Sequence, residues 1–151
     1  MLLLVVEDIE IWRDVPSTNG IKASNLGRVL LPEATSITPT GGVRTHKTKP
    51  RLGSLRKSFK TARHLYRGFS TRTHGTIKVH RMVCEAFHGP PTKEKPIVIH
   101  LDEDGTNNHY TNLKWGTQKE NLNMPKFIAY CKSRTGSNNP NVKGRLKKGI
   151  I

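Results

Sequence analysis

Residues 97–123 carry the pattern that most restricts how this chain can fold. Ile97–Leu101 is a short, β-branched apolar run that predicts a strand, and Leu113–Gly116 predicts a second one. Thr117 is followed three residues later by Glu120, which is the capping box that begins a helix. This part of the chain is therefore predicted to form a strand, a loop, a second strand and a helix.

Three polar side chains fall at defined places on this unit. His100 lies on the first predicted strand, Asn112 directly precedes the second, and Asn121 lies on the helix. A neutral imidazole can accept a proton from water near pH 7, and an amide oxygen is a hard ligand that suits Mg²⁺. A lone histidine or asparagine is usually structural. The three together, at this spacing, indicate a centre that cuts phosphodiester bonds, with all three groups converging on one phosphate.

The charge of the chain predicts a polyanionic partner. Lysine and arginine outnumber aspartate and glutamate by 26 to 11, which gives a net charge of +15. No acid lies between Glu33 and Glu85, and none follows Glu120. Because blocks of one sign repel themselves, we expect phosphates to neutralise them, with double-stranded DNA as the partner and RNA as an alternative. The side chains expected to contact DNA are Arg44, Lys47, Lys49, Arg51, Arg56, Lys57, Lys60, Arg63, Arg67, Arg72, Lys78, Arg81, Lys143, Arg145, Lys147 and Lys148.

The first 31 residues are predicted to form a small strand module. Asn19-Gly20 is a turn dipeptide, and Asn25 and Gly27 can both accept left-handed backbone angles. Trp12 and Leu26 are expected in the core of this module, because an aromatic residue beside β-branched neighbours usually packs.

The middle and the tail of the chain have weaker patterns. Residues 32–64 lack a regular period, so we expect a basic arm that is mobile until phosphates hold it. Leu65–Ser70 and Thr76–His80 alternate as a hairpin does, and a short helix is predicted over 80–87. After residue 124 we expect a helix to about Ser133 and then a basic strand or arm along the phosphates.

Length and composition favour a modular protein. With 151 residues and 34% apolar residues, the chain has little material for one large core. We expect an elongated α+β protein with modules at 1–31, 32–64, 65–124 and 125–151. Cys84 and Cys131 are far apart and indicate free thiols. Leu2–Val6 predicts a first strand, and it is too short for a membrane span or signal peptide, so we expect a cytoplasmic protein without a membrane partner.

Three separated strings, within residues 10–31, 79–87 and 97–123, resemble the HNH endonucleases of phage and intron-encoded homing type, in the subgroup that reads His, Asn, Asn. The resemblance implies a ββα-metal finger and a single-metal DNA endonuclease using Mg²⁺ or Mn²⁺. It implies that His100 is the general base, that Asn112 orients its ring and that Asn121 binds the metal. One active site serves one phosphate at a time, so we expect a monomer that nicks one strand.

One position departs from the family. The residue before the base is commonly Asp or Asn and supplies a second metal ligand, whereas this chain has Ile99, which has no lone pair. The ion would then be coordinated by Asn121, DNA oxygens and water, or by a nearby carboxylate of Asp102 or Asp104. Asp102, Asn107 and Asn108 are otherwise expected to shape the loop. Two alternatives therefore stay open, a catalytically silent DNA-binding or regulatory protein on this fold and a binder of RNA or ribonucleoprotein.

Overall fold

The computed structural model describes residues 9–57, 60 and 64–147, with the backbone alone described over 144–147. The predicted α+β class is confirmed: short antiparallel sheets are combined with a few helices. The predicted strand at Leu2–Val6 lies outside the described residues. No helix in the described part is both long and apolar enough to cross a membrane.

The N-terminal module is a three-stranded sheet of β1 (Trp12–Asp14), β2 (Lys22–Ser24) and β3 (Val29–Leu30). The turn before β2 uses Gly20 at a positive φ of 79°, as the sequence predicts. The prediction that Trp12 and Leu26 are core residues is wrong, because both are only half-buried and neither belongs to the buried cluster. The module instead buries smaller side chains, namely Val15, Ile21, Ala23, Val29 and Leu31.

These residues share one core with the rest of the molecule. The same buried cluster continues through Phe69, Ile77, Val79, Val83, Cys84 and Leu113. The core is small, as the apolar content predicts. The packing is nevertheless continuous across the module boundary predicted at residue 31.

The basic middle region contains strands that the sequence did not predict. β4 (Ala34–Ile37) and β5 (Val43–His46) form a hairpin whose strand residues are all exposed, and β6 (Ser54–Lys57) joins a second sheet. The prediction of an irregular arm is therefore wrong for these segments. Local backbone pairing around a Gly41 turn, with φ of 81°, forms the hairpin without apolar burial.

The predicted hairpin and helices of the second half are confirmed. β7 (Leu65–Thr71) pairs with β8 (Gly75–Lys78), and the chain continues directly into α1 (Val79–His88). β9 (Ile97–His100) pairs antiparallel with β10 (Leu113–Gly116), after a turn of 3₁₀ helix at Tyr110–Asn112.

The capping box between Thr117 and Glu120 begins α2 (Gln118–Leu122) as predicted. The predicted helix to Ser133 is α3 (Pro125–Ser133). The basic strand or arm predicted beyond it is wrong, because the chain forms a further helix there, α4 (Pro140–Lys147).

Candidate active site

Strand β9, the first turn of α1, helix α2 and the β6–β7–β8 sheet line one cleft of about 630 Å³. His100 and Asn121, the predicted base and metal ligand, both line it. The arrangement follows from the chain order: β9 ends at His100, β10 returns antiparallel beside it, and the capped helix carries Asn121 back to the same side. The unit predicted from residues 97–123 therefore brings these two groups to one cavity.

The imidazole of His100 is held by Asn108. Its Nε2 lies 3.1 Å from Oδ1 of Asn108, and the two side chains are only 7% and 4% exposed. An amide oxygen can only accept a hydrogen bond, so the ring proton resides on Nε2 in this pair. Nδ1 of His100 then carries the lone pair, which is the atom that a general base requires.

Asn108 is in turn packed against the N-terminal module. Gly27 has a φ of +83°, and a Cβ built on it would lie 2.9 Å from Cβ of Asn108 and 3.0 Å from its backbone oxygen. Nearby, the N–H of Tyr110 donates to the carbonyl of Asn25 at 2.9 Å. Residues 9–31 thus support the side chain that orients His100. Asn25 itself does not take the left-handed angle that the sequence allowed, because its side chain binds the backbone of Ile9 and Ile11.

The assignment of the ring-orienting role to Asn112 is corrected by the structure. Its Nδ2 donates to Oδ1 of Asp102 at 2.9 Å and to the carbonyl of Asn107 at 2.9 Å, and its Oδ1 accepts from the N–H of Asp102 at 3.0 Å. These bonds close the loop between β9 and β10 instead of touching the imidazole. Its carbonyl also accepts from the N–H of Leu101 at 2.8 Å, which fixes the backbone next to His100.

Two further rings surround His100. His80, on the first turn of α1, lies with its centroid 5.5 Å from the His100 ring, and Tyr66 on β7 lies 5.9 Å away. Burial lowers the pKa of His100, although the hydrogen bond to Asn108 opposes the shift. Burial also lowers the pKa of His80, to about 3, helped by the charge of His100. Both imidazoles are therefore neutral at neutral pH.

The ligand set for a metal ion is sparse. Among the described residues, Asn121 lines the cleft and its carboxamide makes no hydrogen bond. Ile99 is 1% exposed and packs toward Gly116, where a Cβ would lie 2.3 Å from its Cδ1. The described part of the chain holds no group of three or more His, Cys, Asp or Glu side chains placed to bind a metal.

The loop acids considered as replacements for Ile99 have other partners. Asp102 accepts hydrogen bonds from the side chains of Asn107 and Asn112, and Asp104 accepts two from Thr106. Neither lines the cleft. Of the acids in the described residues, Glu103 does line it, while also accepting from the N–H groups of Lys126 and Phe127 at the start of α3.

The predicted DNA-contacting residues divide into groups. Five of them line the cleft beside His100 and Asn121, namely Arg56, Lys57, Arg67, Lys78 and Arg81. Others lie elsewhere on the described surface, namely Arg44, Lys47, Lys49, Arg51, Lys60, Arg72 and Lys143. Arg63 and Lys148, and the side chains of Arg145 and Lys147, lie outside the described residues.

Sequence reasoning missed Asn108 and left His80 without a firm role. Asn107 and Asn108 are adjacent and chemically identical, so only the path of the loop decides which one reaches the imidazole. One feature of the sequence could have indicated that His80 is buried: this polar residue lies in the first turn of a helix whose apolar face is buried.

The chain is similar to known proteins in two comparisons. Residues 78–123 match the family model for HNH endonucleases. A solved structure described as "DNA binding and cleavage by the HNH homing endonuclease I-HmuI" is similar to this chain at 26% sequence identity, covering 82% of this chain and 67% of that one, with a TM-score of 0.44. None of the curated proteins matches the sequence.

Proposed function

We propose that this chain, whose residues 78–123 match the family model for HNH endonucleases, is a metal-dependent enzyme that nicks duplex DNA. The observation that carries the proposal is the pairing of His100 with Asn108 at the wall of a basic cleft that Asn121 also lines. A neutral imidazole with its Nδ1 lone pair free can take the proton of an attacking water. His100 is the general base of this proposal.

Asn108 performs the positioning. By accepting from Nε2–H it selects the tautomer with the lone pair on Nδ1 and stabilises the imidazolium that forms when His100 takes a proton. The rings of Tyr66 and His80 limit rotation of the imidazole. The residues of this chain therefore hold the base in one orientation before substrate arrives, which is the role first assigned to Asn112.

The donors in the cleft fit a divalent cation that is shared with the substrate. Asn121 supplies one amide oxygen, and Glu103 is the one carboxylate among the described residues that line the cleft. Mg²⁺ keeps several waters and often needs few protein ligands, so phosphate oxygens and water can complete its shell. A bound divalent cation supplies positive charge that stabilises the phosphate and the departing 3′ oxygen. Mn²⁺ suits the same oxygen donors.

Duplex DNA fits the remaining charge distribution. The five basic side chains of the cleft lie where a phosphate strand must pass to reach His100. The exposed β4–β5 hairpin carries Arg44, with Lys47 and Lys49 directly after it. We assign sequence choice to this basic region and to the β7–β8 hairpin, and a single active site to a monomer that cuts one strand.

A second candidate is a DNA-binding protein that has lost cutting. The burial of Ile99 favours it, because this position contributes apolar packing against Gly116 and no metal ligand. An RNA binder would use the same basic surface. The three readings differ in what happens to nucleic acid in the presence of a metal ion.

Supercoiled plasmid separates them. Incubation with Mg²⁺ or Mn²⁺ should give nicked circles, and EDTA should prevent them. His100→Ala should slow nicking by about 10²-fold or more, since that is the usual contribution of a general base. Cys131→Ser, which changes an exposed side chain of α3 that does not line the cleft, should leave the rate unchanged. Retarded but uncut plasmid would support the silent binder, and tighter binding of structured RNA than of duplex DNA would support the RNA binder.

A further inference from the structure

The first turn of α1 forms part of the cleft wall beside His100. Lys78, His80 and Arg81 all line the cleft, and the helix begins at Val79 without a side-chain cap and without an acid in its first turn. The unpaired N–H groups of such a helix end attract an anion. Acids commonly occupy this position in proteins, whereas this helix carries cations around it.

His80 provides an independent sign of a ligand. It is 8% exposed, lines the cleft, and its Nδ1 is buried without a hydrogen-bond partner. A buried N–H without an acceptor is less common than an unpaired acceptor atom, so we assign the proton of the neutral ring to Nε2. Within the described residues that Nε2–H has no protein acceptor, and the ring therefore has one hydrogen bond to offer to a bound group.

Arg81 is fixed in place while still lining the cleft. Its guanidinium lies 5.1 Å from the centroid of Trp115, and one of its nitrogens donates to the carbonyl of Pro96 at 3.1 Å. Trp115 is itself held by a hydrogen bond to the carbonyl of Gly89 at 2.8 Å. An arginine restrained in this way loses little rotamer freedom when it binds phosphate.

We propose that the N-terminal turn of α1, with Lys78, His80 and Arg81, is a binding site for a phosphodiester anion, separate from the place where His100 acts. The His80 and His100 rings are 5.5 Å apart, so a strand whose scissile phosphate lies at His100 brings a neighbouring phosphate close to the first turn of α1. The turn of α1 holds the phosphate next to the one that is cut. This assignment of a role to the anion rests on the proposed function.

Inorganic phosphate tests the site without any need for cutting. Phosphate is titrated into the ¹⁵N-labelled full chain at an ionic strength held constant with NaCl. The NMR chemical shifts of the backbone amides of Val79, His80 and Arg81 and of the His80 ring should change and reach saturation. Lys78→Gln should weaken this binding by about two- to fivefold, the usual value of one exposed charge pair. Lys132→Gln removes an exposed lysine of α3 that does not line the cleft, and it should leave the binding unchanged.

Equal effects of Lys78→Gln and Lys132→Gln, or shifts at α1 no larger than those across the basic surface, would mean non-specific counterion binding and would overturn the proposal. Saturation at α1 in a protein that nicks no plasmid would retain the anion site and refute the endonuclease. Nicking without saturation at α1 would support the endonuclease and overturn the anion site. The two proposals can therefore fail separately.

Discussion

Asn108 accepts a hydrogen bond from the His100 imidazole at 3.1 Å, and both side chains are buried. The loop that joins β9 to β10 therefore does more than connect two strands, because it carries the group that sets the tautomer of the proposed base. The strength of this pairing can be measured through its effect on nicking, on pH dependence and on the fold.

Replacing Asn108 by alanine should lower the nicking rate by about 10- to 100-fold, as for other residues that orient a reactive histidine. The buried Nε2–H of His100 would lose its acceptor, which also costs about 1–3 kcal/mol of unfolding free energy. Plasmid nicking and urea unfolding measure the two effects. Asn107→Ala, which removes an exposed bond to Asp102, is the matched control and should change the rate far less. Equal rates in the two variants would remove Asn108 from the site.

The pH profile of nicking should reflect the lowered pKa of His100. The active form is the neutral ring, so the rate should rise with pH through this pKa and then level off. Because burial lowers the pKa from 6.5, the rising limb should lie below pH 6.5. Asn108→Ala should move the limb further toward acid, since the hydrogen bond to Asn108 raises this pKa. A limb above pH 7 in the wild type would contradict the assignment.

His80 should make the fold less stable in mild acid. Its pKa is about 3 in the folded chain and 6.5 in the unfolded chain, so only the unfolded state gains this proton between those values. Stability is therefore complete above pH 6.5 and falls as the pH drops toward 3. At pH 5 the loss due to His80 is about 2 kcal/mol, at about 1.4 kcal/mol per pH unit. Thermal unfolding of wild type and His80→Gln from pH 7.5 to 5 tests this, and parallel curves would refute it. His74→Gln is the exposed control.

Gly116 and Ile99 should be energetically coupled. A Cβ at Gly116 would lie 2.3 Å from Cδ1 of the fully buried Ile99, so Gly116→Ala should cost about 1–3 kcal/mol. Ile99→Val removes that methyl group and alone costs about 0.5–1.5 kcal/mol. The double variant should be more stable than the sum of the single effects predicts. Urea unfolding of the four proteins measures the coupling, and strictly additive values would place Ile99 elsewhere.

Gly27 should matter for the site although it lies in the N-terminal module. Gly27→Ala puts a Cβ 2.9 Å from Cβ of Asn108, at a φ of +83°. Gly41→Ala has nearly the same φ, +81°, with nothing within 4 Å of the new Cβ, so it serves as the control for backbone strain alone. Gly27→Ala should lose more unfolding free energy than Gly41→Ala and should also slow nicking. Equal stability of the two variants would show that Asn108 can move away freely.

The parts of the molecule that the sequence predicted well depend on local signals. The capping box of Thr117 and Glu120 and the alternation on either side of the Gly75 turn specify their elements within a few residues. The errors occurred where distant residues decide. Trp12 has apolar sequence neighbours that are typical of a core position, yet smaller side chains fill the shared core. The β4–β5 hairpin has no apolar pattern because both its faces are exposed.

The residues of the site also differ in how far the sequence predicts them. His100 and Asn121 follow from residue type and spacing within one short unit, and both line the cleft. The contact between Asn108 and His100 depends on the path of the β9–β10 loop and on the packing of Gly27 against Asn108. Gly27 precedes Asn108 by 81 positions in the chain (108 − 27 = 81). No local pattern encodes a contact of that separation.

The buried cluster shared by the N-terminal sheet, α1 and β10 has a practical consequence for engineering. Residues 65–124 cannot be excised and fused to another protein as an independent domain, because removing the first sheet would uncover the face of α1 that packs against β1, β2 and β3 and would take away the packing behind Asn108. A fused fragment must therefore include residues 9–31 together with residues 65–124.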